Sequence, residues 1–231
     1  GVLHIDAALP LFALGLFAIP LYLIYNTLRV PALERQTEID GKTGLFNHEY
    51  FKKHLNNELA RSNRFDRPLS VILADLDLLR NINNTYGHLA GDEVLIGMAK
   101  AMKESVRDYD VVCRFGGEEF AILLPETTIS QAYERAEIIR RAIEHLEFTV
   151  PTSMTPIRAT MSFGIAHREN FSQTADEITH NADLALYHSK LSGRNRSYAY
   201  INDEYIDFQA NEMEIYPSTT PSTDLPKANP E

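Results

Sequence analysis

The sequence has little cysteine, a deficit of basic residues and no visible internal repeat. Its single cysteine, Cys113, excludes an intramolecular disulfide and suits a reducing compartment. The 22 lysine and arginine residues against 32 aspartate and glutamate residues give a formal net charge of -10, and no basic run is present. A nucleic-acid polymer is therefore not expected as a partner, because such binders usually present a basic face. Nucleotides remain compatible with an acidic protein when divalent cations bridge carboxylates to phosphates.

Apolar side chains make up 44 % of the 231 residues, enough for one domain of common size with its own core plus appendages. We predict a hydrophobic segment over residues 1–30, a connector over residues 31–39, a domain over residues 40–203 and a tail over residues 204–231. The end of the tail is rich in proline, serine and threonine, so the tail is expected to be disordered.

The hydrophobic segment contains residues 7–28, which carry no charged side chain. At about 1.5 Å per residue, a helix of this length would match the hydrocarbon core of a bilayer. Arg29 and Arg35 follow it, and the positive-inside tendency places the rest of the chain in the cytoplasm, at the inner membrane. Since the chain begins with glycine just before it, we expect the last span of a longer membrane sensor. A buried or partner-packed hairpin is the alternative. A cleaved signal peptide is disfavoured, because the sequence lacks the basic leading region that such a peptide carries.

Hydrophobic periodicity alternates between helix and strand through residues 40–203. Apolar side chains recur at helical spacing in four segments, at residues 47–64, 91–106, 132–146 and 174–190. Compact apolar runs predict strands at residues 69–75, 111–114, 120–124, 158–166 and 197–201. Gly116 and Gly117 join the second and third of these strands as a hairpin. Strands combined with helices and a tight hairpin predict an α+β fold, with helices packed against a sheet.

Acidic residues lie at the end of the first predicted strand and in the turn of the hairpin. Asp75 ends the strand, and strand alternation sends Asp77 to the same side if the strand continues that far. Glu118 and Glu119 follow the two glycines, which permit close approach of a phosphate to the backbone. If the two strands are neighbours, Asp75 and Glu118 converge at one rim and could hold magnesium together with substrate phosphates. The alternative is a solvated turn and a strand-end cap.

The hairpin sequence RFGGEEF, Arg114–Phe120, resembles the signature of GGDEF-domain diguanylate cyclases in its GGEEF form. Further blocks resemble the family in the expected order, at residues 40–47, 75–92, 162–166 and 182–196. The resemblance implies a palm-like nucleotidyl cyclase fold, ferredoxin-like, with a central, mostly antiparallel sheet flanked by helices. It also implies a nucleotidyltransferase that condenses two GTP molecules into cyclic di-GMP and two pyrophosphates, as the output domain of a signal-transduction protein.

The resemblance assigns the acidic residues to catalysis. Asp75, Glu118 and the carbonyl of Leu76 would bind catalytic Mg²⁺ or Mn²⁺ ions. Glu119 would lie close to the reacting 3′-hydroxyl. Each domain would hold one GTP, so catalysis would require a symmetric homodimer, and the alignment of the dimer would be a natural point of control.

The resemblance also assigns residues to the rest of the nucleotide. Asn83 and Asp92 would read guanine, because a carboxylate can accept from N1–H and the 2-amino group together. The β- and γ-phosphates would be held by the amides of the two glycines and by basic side chains, namely Gly116, Gly117, Lys190, Arg194 and Arg80. Lys190 and Arg194 are four residues apart, on one helical face. Without the resemblance they would be ordinary charges at a helix C-terminus.

A second site is implied by Arg107 and Asp110, which match the RxxD motif that precedes the glycine pair and binds cyclic di-GMP as a feedback inhibitor in the family. Taken alone, these residues would be a solvated charge cluster. A further arginine that often completes this site has no clear counterpart, and Arg135 and Arg140 are candidates.

The sequence departs from the family pattern at several positions. Lys42 stands where leucine is usual, His48 where arginine is usual, and Arg80 where lysine is usual. His88 and Cys113 are interpreted as structural residues. Two other functions remain open: a non-catalytic receptor for GTP or cyclic di-GMP, which the intact acidic residues disfavour, and a cyclase with altered base choice, which the predicted guanine-reading carboxylate disfavours.

Overall fold

The computed structural model describes residues 18–25, 38–150, 155–208 and 214–217. The chain divides into two compact units, Gly1–Ile39 and Asp40–Glu231. In the first unit, residues 18–25 are helical, and their large apolar side chains are exposed. The rest of the predicted membrane segment, residues 7–28, lies outside the described residues. No helix in the part that the structure describes is long and apolar enough to cross a membrane.

The second unit contains one mixed sheet with helices on both faces. Its helices are α1 His48–Phe65, α2 Leu79–Tyr86, α3 His88–Glu104, α4 Ile129–Glu144 and α5 Ala175–Leu191. Its strands are β1 Phe46–Asn47, β2 Leu69–Leu76, β3 Val111–Gly116, β4 Glu119–Pro125, β5 Met161–His167, β6 Ser197–Ile201, β7 Glu204–Asp207 and β8 Glu214–Pro217. The strand order is β1-β3-β4-β2-β5-β6-β7-β8. Pairs β1–β3 and β5–β6 are parallel and the other pairs are antiparallel, so the predicted α+β fold with a mostly antiparallel sheet is confirmed.

Strand β2 lies at the centre of the sheet, and helices cover both of its faces. All eight of its residues are buried. Ile72, Ala74 and Leu76 pack on one face with α3 and α4, whereas Val71 and Leu73 pack on the other face with α1 and α5. This alternation follows from the two-residue period of a strand. The layers are therefore helix, sheet, helix, and the ends of the central strands form the rim where a ligand can reach the sheet.

The helices begin at residues that satisfy their free amide groups. The side chain of Asn47 accepts a hydrogen bond from the N–H of Tyr50 (3.0 Å) at the start of α1. A reciprocal capping box of Thr174 and Glu177 begins α5, as the sequence predicts. The helix predicted from Gly91 begins earlier, at His88, and the short α2 before it was not predicted. With only eight residues, α2 has too few apolar positions for a helical period to be visible.

The C-terminal boundary differs from the prediction. The sequence places the end of the domain at residue 203, but β7 pairs with β6 directly after that point, and β8 pairs with β7. Asn202 and Asp203 both have left-handed backbone angles (φ 48° and 64°), which join two antiparallel strands by a tight turn. The side chain of Asp207 then accepts a hydrogen bond from the hydroxyl of Tyr133 in α4 (2.6 Å). The ordered sheet therefore extends into the predicted tail; residues 218–231 lie outside the described residues.

Candidate active site

The sheet register brings the acidic residues of β2 and of the β3–β4 hairpin to one rim. Asp75 is the direct partner of Glu119 across the antiparallel pair β2–β4. The N–H of Leu76 donates to the carbonyl of Glu118 at 3.1 Å, which extends this pairing to the turn. Segments that are more than 40 residues apart in sequence therefore place Asp75, Glu118 and Glu119 side by side, as the predicted strand adjacency requires.

The rim carries more negative than positive charge. Asp75 is only 6 % exposed, and one of its oxygens lies 2.9 Å from the ammonium of Lys190. Burial raises the pKa of Asp75 above its ordinary value, although Lys190 opposes this shift. Burial, and then the charge of Asp75, also raise the pKa values of Glu118 and Glu119. Three carboxylates against the charges of Lys190 and Arg194 leave a surplus of negative charge, which a divalent cation would neutralise.

The donor set at the rim fits a hard divalent cation that is shared with a substrate. Within the described residues, no group of three or more histidine, cysteine, aspartate and glutamate side chains is arranged to hold a metal alone. Asp75 and Glu118 offer only carboxylate oxygens, and Leu76 lies between them in the hydrogen-bonded pairing. Magnesium commonly takes one or two carboxylates and completes its shell with substrate phosphates and water. The residues present are therefore sufficient for such an ion, provided that a phosphate-bearing ligand binds with it.

Asp77 does not extend the acidic rim in the way that strand alternation suggests. Strand β2 ends at Leu76, so the alternation stops one residue earlier. The carboxylate of Asp77 is 5 % exposed and accepts hydrogen bonds from Thr160 Oγ1 (2.7 Å), Ser162 Oγ (2.7 Å) and the N–H of Asn195 (3.0 Å). It therefore ties the end of β2 to β5 and to the turn after α5. No sequence signal identifies this role, because its partners lie 83 to 118 residues away.

The basic residues predicted for phosphate come from the end of α5. Lys190 lies in its last turn, but α5 ends at Leu191, so Arg194 is not on the same helical face. Arg194 lies in the turn that follows Gly193, with a left-handed backbone (φ 63°), and its N–H donates to the carbonyl of Ser189 (3.1 Å). The predicted helical pairing is therefore wrong, because the chain reverses here to enter β6. The charge of Arg194 still acts on Asp75 and opposes the rise in its pKa.

The glycine turn is anchored by Arg114, a role that sequence reasoning missed. Its guanidinium donates from Nε (3.0 Å) and Nη2 (2.6 Å) to the carbonyl of Gly117, and from Nη1 to both oxygens of Asp40 at 3.3 Å. Gly117 has φ +46°, a left-handed conformation that suits glycine, and a side chain added at Gly116 would meet only Glu119. Arg114 thus holds the turn through the carbonyl of Gly117, and both glycines are exposed.

The two residues predicted to read guanine come from neighbouring helices. Asn83 lies in α2 and Asp92 in α3. A Cβ atom at Gly91 would lie 1.9 Å from Oδ1 of Asn83, so this glycine allows the amide to lie against α3 at the residue that precedes Asp92. Asp92 in turn accepts from the ammonium of Lys42 at 2.5 Å. Arg80 is exposed on α2.

The RxxD residues form a turn in which the acidic side chain is largely buried. The N–H of Arg107 donates to Oδ2 of Asp110 (2.9 Å), and Asp110 is 8 % exposed. Burial raises the pKa of Asp110, while Arg107 and then Arg135 act against this shift. Arg135 also donates to the carbonyl of Ser105 beside the turn (2.8 Å). Of the two candidate arginines, Arg135 is therefore the one next to the motif.

The other candidate arginine, Arg140, and the two residues interpreted as structural, Cys113 and His88, lie in separate environments. Arg140 is engaged by Glu137 and Glu144 in α4 and by Asn195. Cys113 is fully buried, and burial raises the pKa of its thiol to about 12, which suits core packing rather than reactivity. His88 is exposed at the first residue of α3.

Comparison with known proteins gives consistent matches. The sequence profile of the family "Diguanylate cyclase, GGDEF domain" matches residues 37–196. The response regulator PleD of Caulobacter vibrioides is 36 % identical over 156 residues, which cover 68 % of this chain and 34 % of that protein. The chain thus spans about a third of the length of this curated relative.

Solved structures agree with the sequence matches. The GGDEF domain of DgcB from Caulobacter crescentus, in complex with c-di-GMP, is 29 % identical with a TM-score of 0.68, over 71 % of this chain and 93 % of that one. The active GGEEF domain of a diguanylate cyclase from Vibrio cholerae is 32 % identical with a TM-score of 0.62, over 67 % of this chain and 97 % of that one.

Proposed function

The chain belongs to the family of diguanylate cyclase GGDEF domains, and from this we propose that it condenses two GTP molecules into cyclic di-GMP with release of two pyrophosphates. The observation that carries the proposal is the meeting of Asp75, Glu118 and Glu119 at one rim of the sheet. In each of the two condensations, the 3′-oxygen of one GTP forms a bond to the α-phosphorus of the other. The bond from that phosphorus to the pyrophosphate oxygen breaks, and the hydroxyl proton is lost.

We assign Asp75, Glu118 and the carbonyl of Leu76 to binding Mg²⁺ or Mn²⁺. When bound, such a cation lowers the pKa of a coordinated hydroxyl and offsets negative charge in the transition state. Glu119 is assigned to the reacting 3′-hydroxyl. Its pKa, raised by partial burial and by Asp75, makes its carboxylate a better acceptor of a proton or hydrogen bond than an ordinary glutamate.

The triphosphate is assigned to the basic residues beside the rim. Lys190 pairs with Asp75 in the structure. When a nucleotide binds, the ammonium of Lys190 would turn from Asp75 to the β- and γ-phosphates. Arg194 would assist from the turn after α5, whose position depends on Asp77, and the amides of Gly116 and Gly117 would contact phosphate oxygens. Arg80 on α2 is a further phosphate contact in this proposal.

Guanine is assigned to Asn83 and Asp92. The carboxylate accepts from N1–H and the 2-amino group, whereas adenine offers no such pair of donors on that edge. Because each domain holds one GTP, we propose that two copies of the chain face each other during catalysis, with their nucleotides antiparallel.

The decisive experiment incubates the protein with GTP, or with ATP, in the presence of Mg²⁺ and identifies the products by mass spectrometry. We expect the wild type to form cyclic di-GMP from GTP and no cyclic product from ATP. Glu118→Gln should form no product from either nucleotide. The matched control is Glu93→Gln, a glutamate on α3 outside the proposed metal site, which should stay active. A demonstrated dimer that binds GTP but forms no product would instead indicate a receptor for GTP or cyclic di-GMP.

We also propose that cyclic di-GMP inhibits the enzyme at the RxxD turn. Arg107 is exposed and can turn toward a ligand, and Arg135 supplies a second guanidinium beside Asp110. Guanidinium groups bind phosphate and the guanine edge well. Adding product should inhibit the wild type but not Arg107→Ala or Arg135→Ala, with similar initial rates in all three. Equal inhibition of the three proteins would reject this site.

Finally, we propose that the N-terminal segment anchors the chain in the inner membrane with the catalytic domain in the cytoplasm. The support is the lack of charge over residues 7–28 and the exposed apolar side chains of helical residues 18–25. The expressed chain should sediment with membranes and resist carbonate extraction, whereas a chain without residues 1–30 should not. Equal solubility of both forms would contradict the anchor.

A further inference from the structure

The proposed guanine site contains a lysine that none of the roles above uses. The ammonium of Lys42 lies 2.5 Å from Oδ1 of Asp92, although the two residues are 50 positions apart. Lys42 precedes β1, and Asp92 lies in α3, next to the Gly91 that contacts Asn83. The positively charged side chain of Lys42 therefore lies at Asp92, the carboxylate that is assigned to guanine.

The backbone that carries Lys42 is fixed by a network of hydrogen bonds. Oδ1 of Asp40 accepts from the N–H (2.8 Å) and the hydroxyl (2.7 Å) of Thr43, and the carbonyl of Asp40 accepts from the N–H of Gly44 (2.9 Å). Arg114, which also holds the glycine turn, donates to the same aspartate. Lys42 is thus presented from a rigid turn, so little backbone ordering is needed when its side chain binds a ligand.

The ion pair itself contributes little to stability. The side chains of Lys42 and Asp92 are 39 % and 37 % exposed, and pairs of this kind are screened by water. Exposure also means that a ligand can reach both groups. The carboxylate oxygen has a second lone pair and can accept from a ligand while it keeps its contact with the ammonium.

We propose that Lys42 is a specificity-determining residue that donates a hydrogen bond to O6 of guanine while Asp92 accepts from N1–H and the 2-amino group. The inference rests on the proposed function, since it assumes that a purine is bound at Asp92. Guanine carries the acceptor O6 directly beside the N1–H donor, and lysine is a common donor to O6. Adenine carries an amino group in place of O6. This amino group and the ammonium of Lys42 are both hydrogen-bond donors and would oppose each other. The pair of Lys42 and Asp92 thus matches guanine and opposes adenine.

The test compares GTP with 6-thio-GTP, which keeps N1–H and the 2-amino group but replaces O6 with a poor hydrogen-bond acceptor. The wild type should use GTP with kcat/KM about tenfold higher than for the thio analogue, the size of one hydrogen bond to a charged donor. Lys42→Met should raise KM for GTP about tenfold with little change in kcat, and it should use both nucleotides equally. Lys42→Arg, which keeps a donor, should recover part of the preference. Lys100→Met, which removes an equally charged side chain from the exposed pair with Glu104 on α3, should behave as wild type.

An unchanged preference for GTP in Lys42→Met would overturn the proposal, and so would a fall in its KM, which would mean that Lys42 closes the site against nucleotide. If the wild type forms no cyclic product, the same comparison is made by calorimetric titration of each protein with GTP and with 6-thio-GTP in Mg²⁺. A preference for GTP that disappears in Lys42→Met then supports the role of Lys42 while the cyclase activity fails. Absence of GTP binding to the wild type would reject both.

Discussion

Replacing Asp77 with alanine removes the acceptor of three hydrogen bonds that join the end of β2 to β5 and to the turn after α5. The hydroxyl groups of Thr160 and Ser162 and the N–H of Asn195 then lose their partner in a region where Asp77 is 5 % exposed. Asparagine is the milder change. Its amide oxygen can keep accepting from Thr160 and Asn195, and its NH₂ group faces Ser162, whose hydroxyl can rotate to accept.

The magnitude follows from these contacts. Hydrogen bonds to charged groups contribute about 1.5–3 kcal/mol each, so three at the low end of this range give a loss of about 4–5 kcal/mol for Asp77→Ala. In a domain of this size, that loss lowers Tm by about 10–15 °C. Asp77→Asn loses the charge and one acceptor, and we expect a cost of about 1–2 kcal/mol, or about 4 °C.

Thermal unfolding followed by circular dichroism measures both values. Asp108→Ala, which changes an exposed aspartate in the RxxD turn, is the matched control and should stay within about 0.5 kcal/mol of wild type. In the folded Asp77→Asn protein, KM for GTP should also rise, because the turn that carries Arg194 loses part of its anchor. Similar Tm values for Asp77→Ala and Asp108→Ala would refute the assignment of Asp77 as the tie between these segments.

Four further predictions concern the rim and the packing of β5. Glu118→Gln should abolish cyclic product yet raise Tm of the metal-free protein at pH 7, because it removes one of three repelling carboxylates. The contribution of the three rim carboxylates to the stability of the metal-free wild type should fall as pH rises above about 4, since Asp75, Glu118 and Glu119 have raised pKa values in the folded state and favour their neutral forms. Mg²⁺ affinity should change in the opposite direction, weakening as pH falls. Gly164→Ala should cost about 3 kcal/mol or more, because overpacking is costly and its methyl group would lie 2.1 Å from the backbone nitrogen of Leu186.

The outcomes that contradict these predictions are equally specific. A lower Tm in metal-free Glu118→Gln would show that Glu118 stabilises the fold. Magnesium titrations with equal affinity at pH 5 and pH 7.5 would show that the rim carboxylates do not bind the ion. For Gly164, urea unfolding of Gly164→Ala is compared with Gly41→Ala, where the added methyl group has open space; equal midpoints would mean that α5 can move away from β5 without cost.

The apolar spacing of the chain is sufficient to predict the main helices and strands of the second unit, Asp40–Glu231. Helix positions repeat locally, and the capping box of α5 lies within four residues, so these features need no knowledge of distant contacts. The glycine turn was also visible, because the two glycines separate two compact apolar runs. The short elements α2, β1, β7 and β8 were missed, since so few residues cannot establish a period.

At the rim, the sequence supplied the residue types, and the register of β2 with β4 decided that Asp75 lies opposite Glu119. The roles of Asp77 and Arg114, the pairing of Lys42 with Asp92 and the choice of Arg135 over Arg140 depended on the tertiary structure alone. Apart from the local bond of Arg114 to Gly117, these contacts join residues that are tens of positions apart. Local propensity carries no information about such distances. Only the order and register of strands, together with the helices packed on them, determine which charges meet.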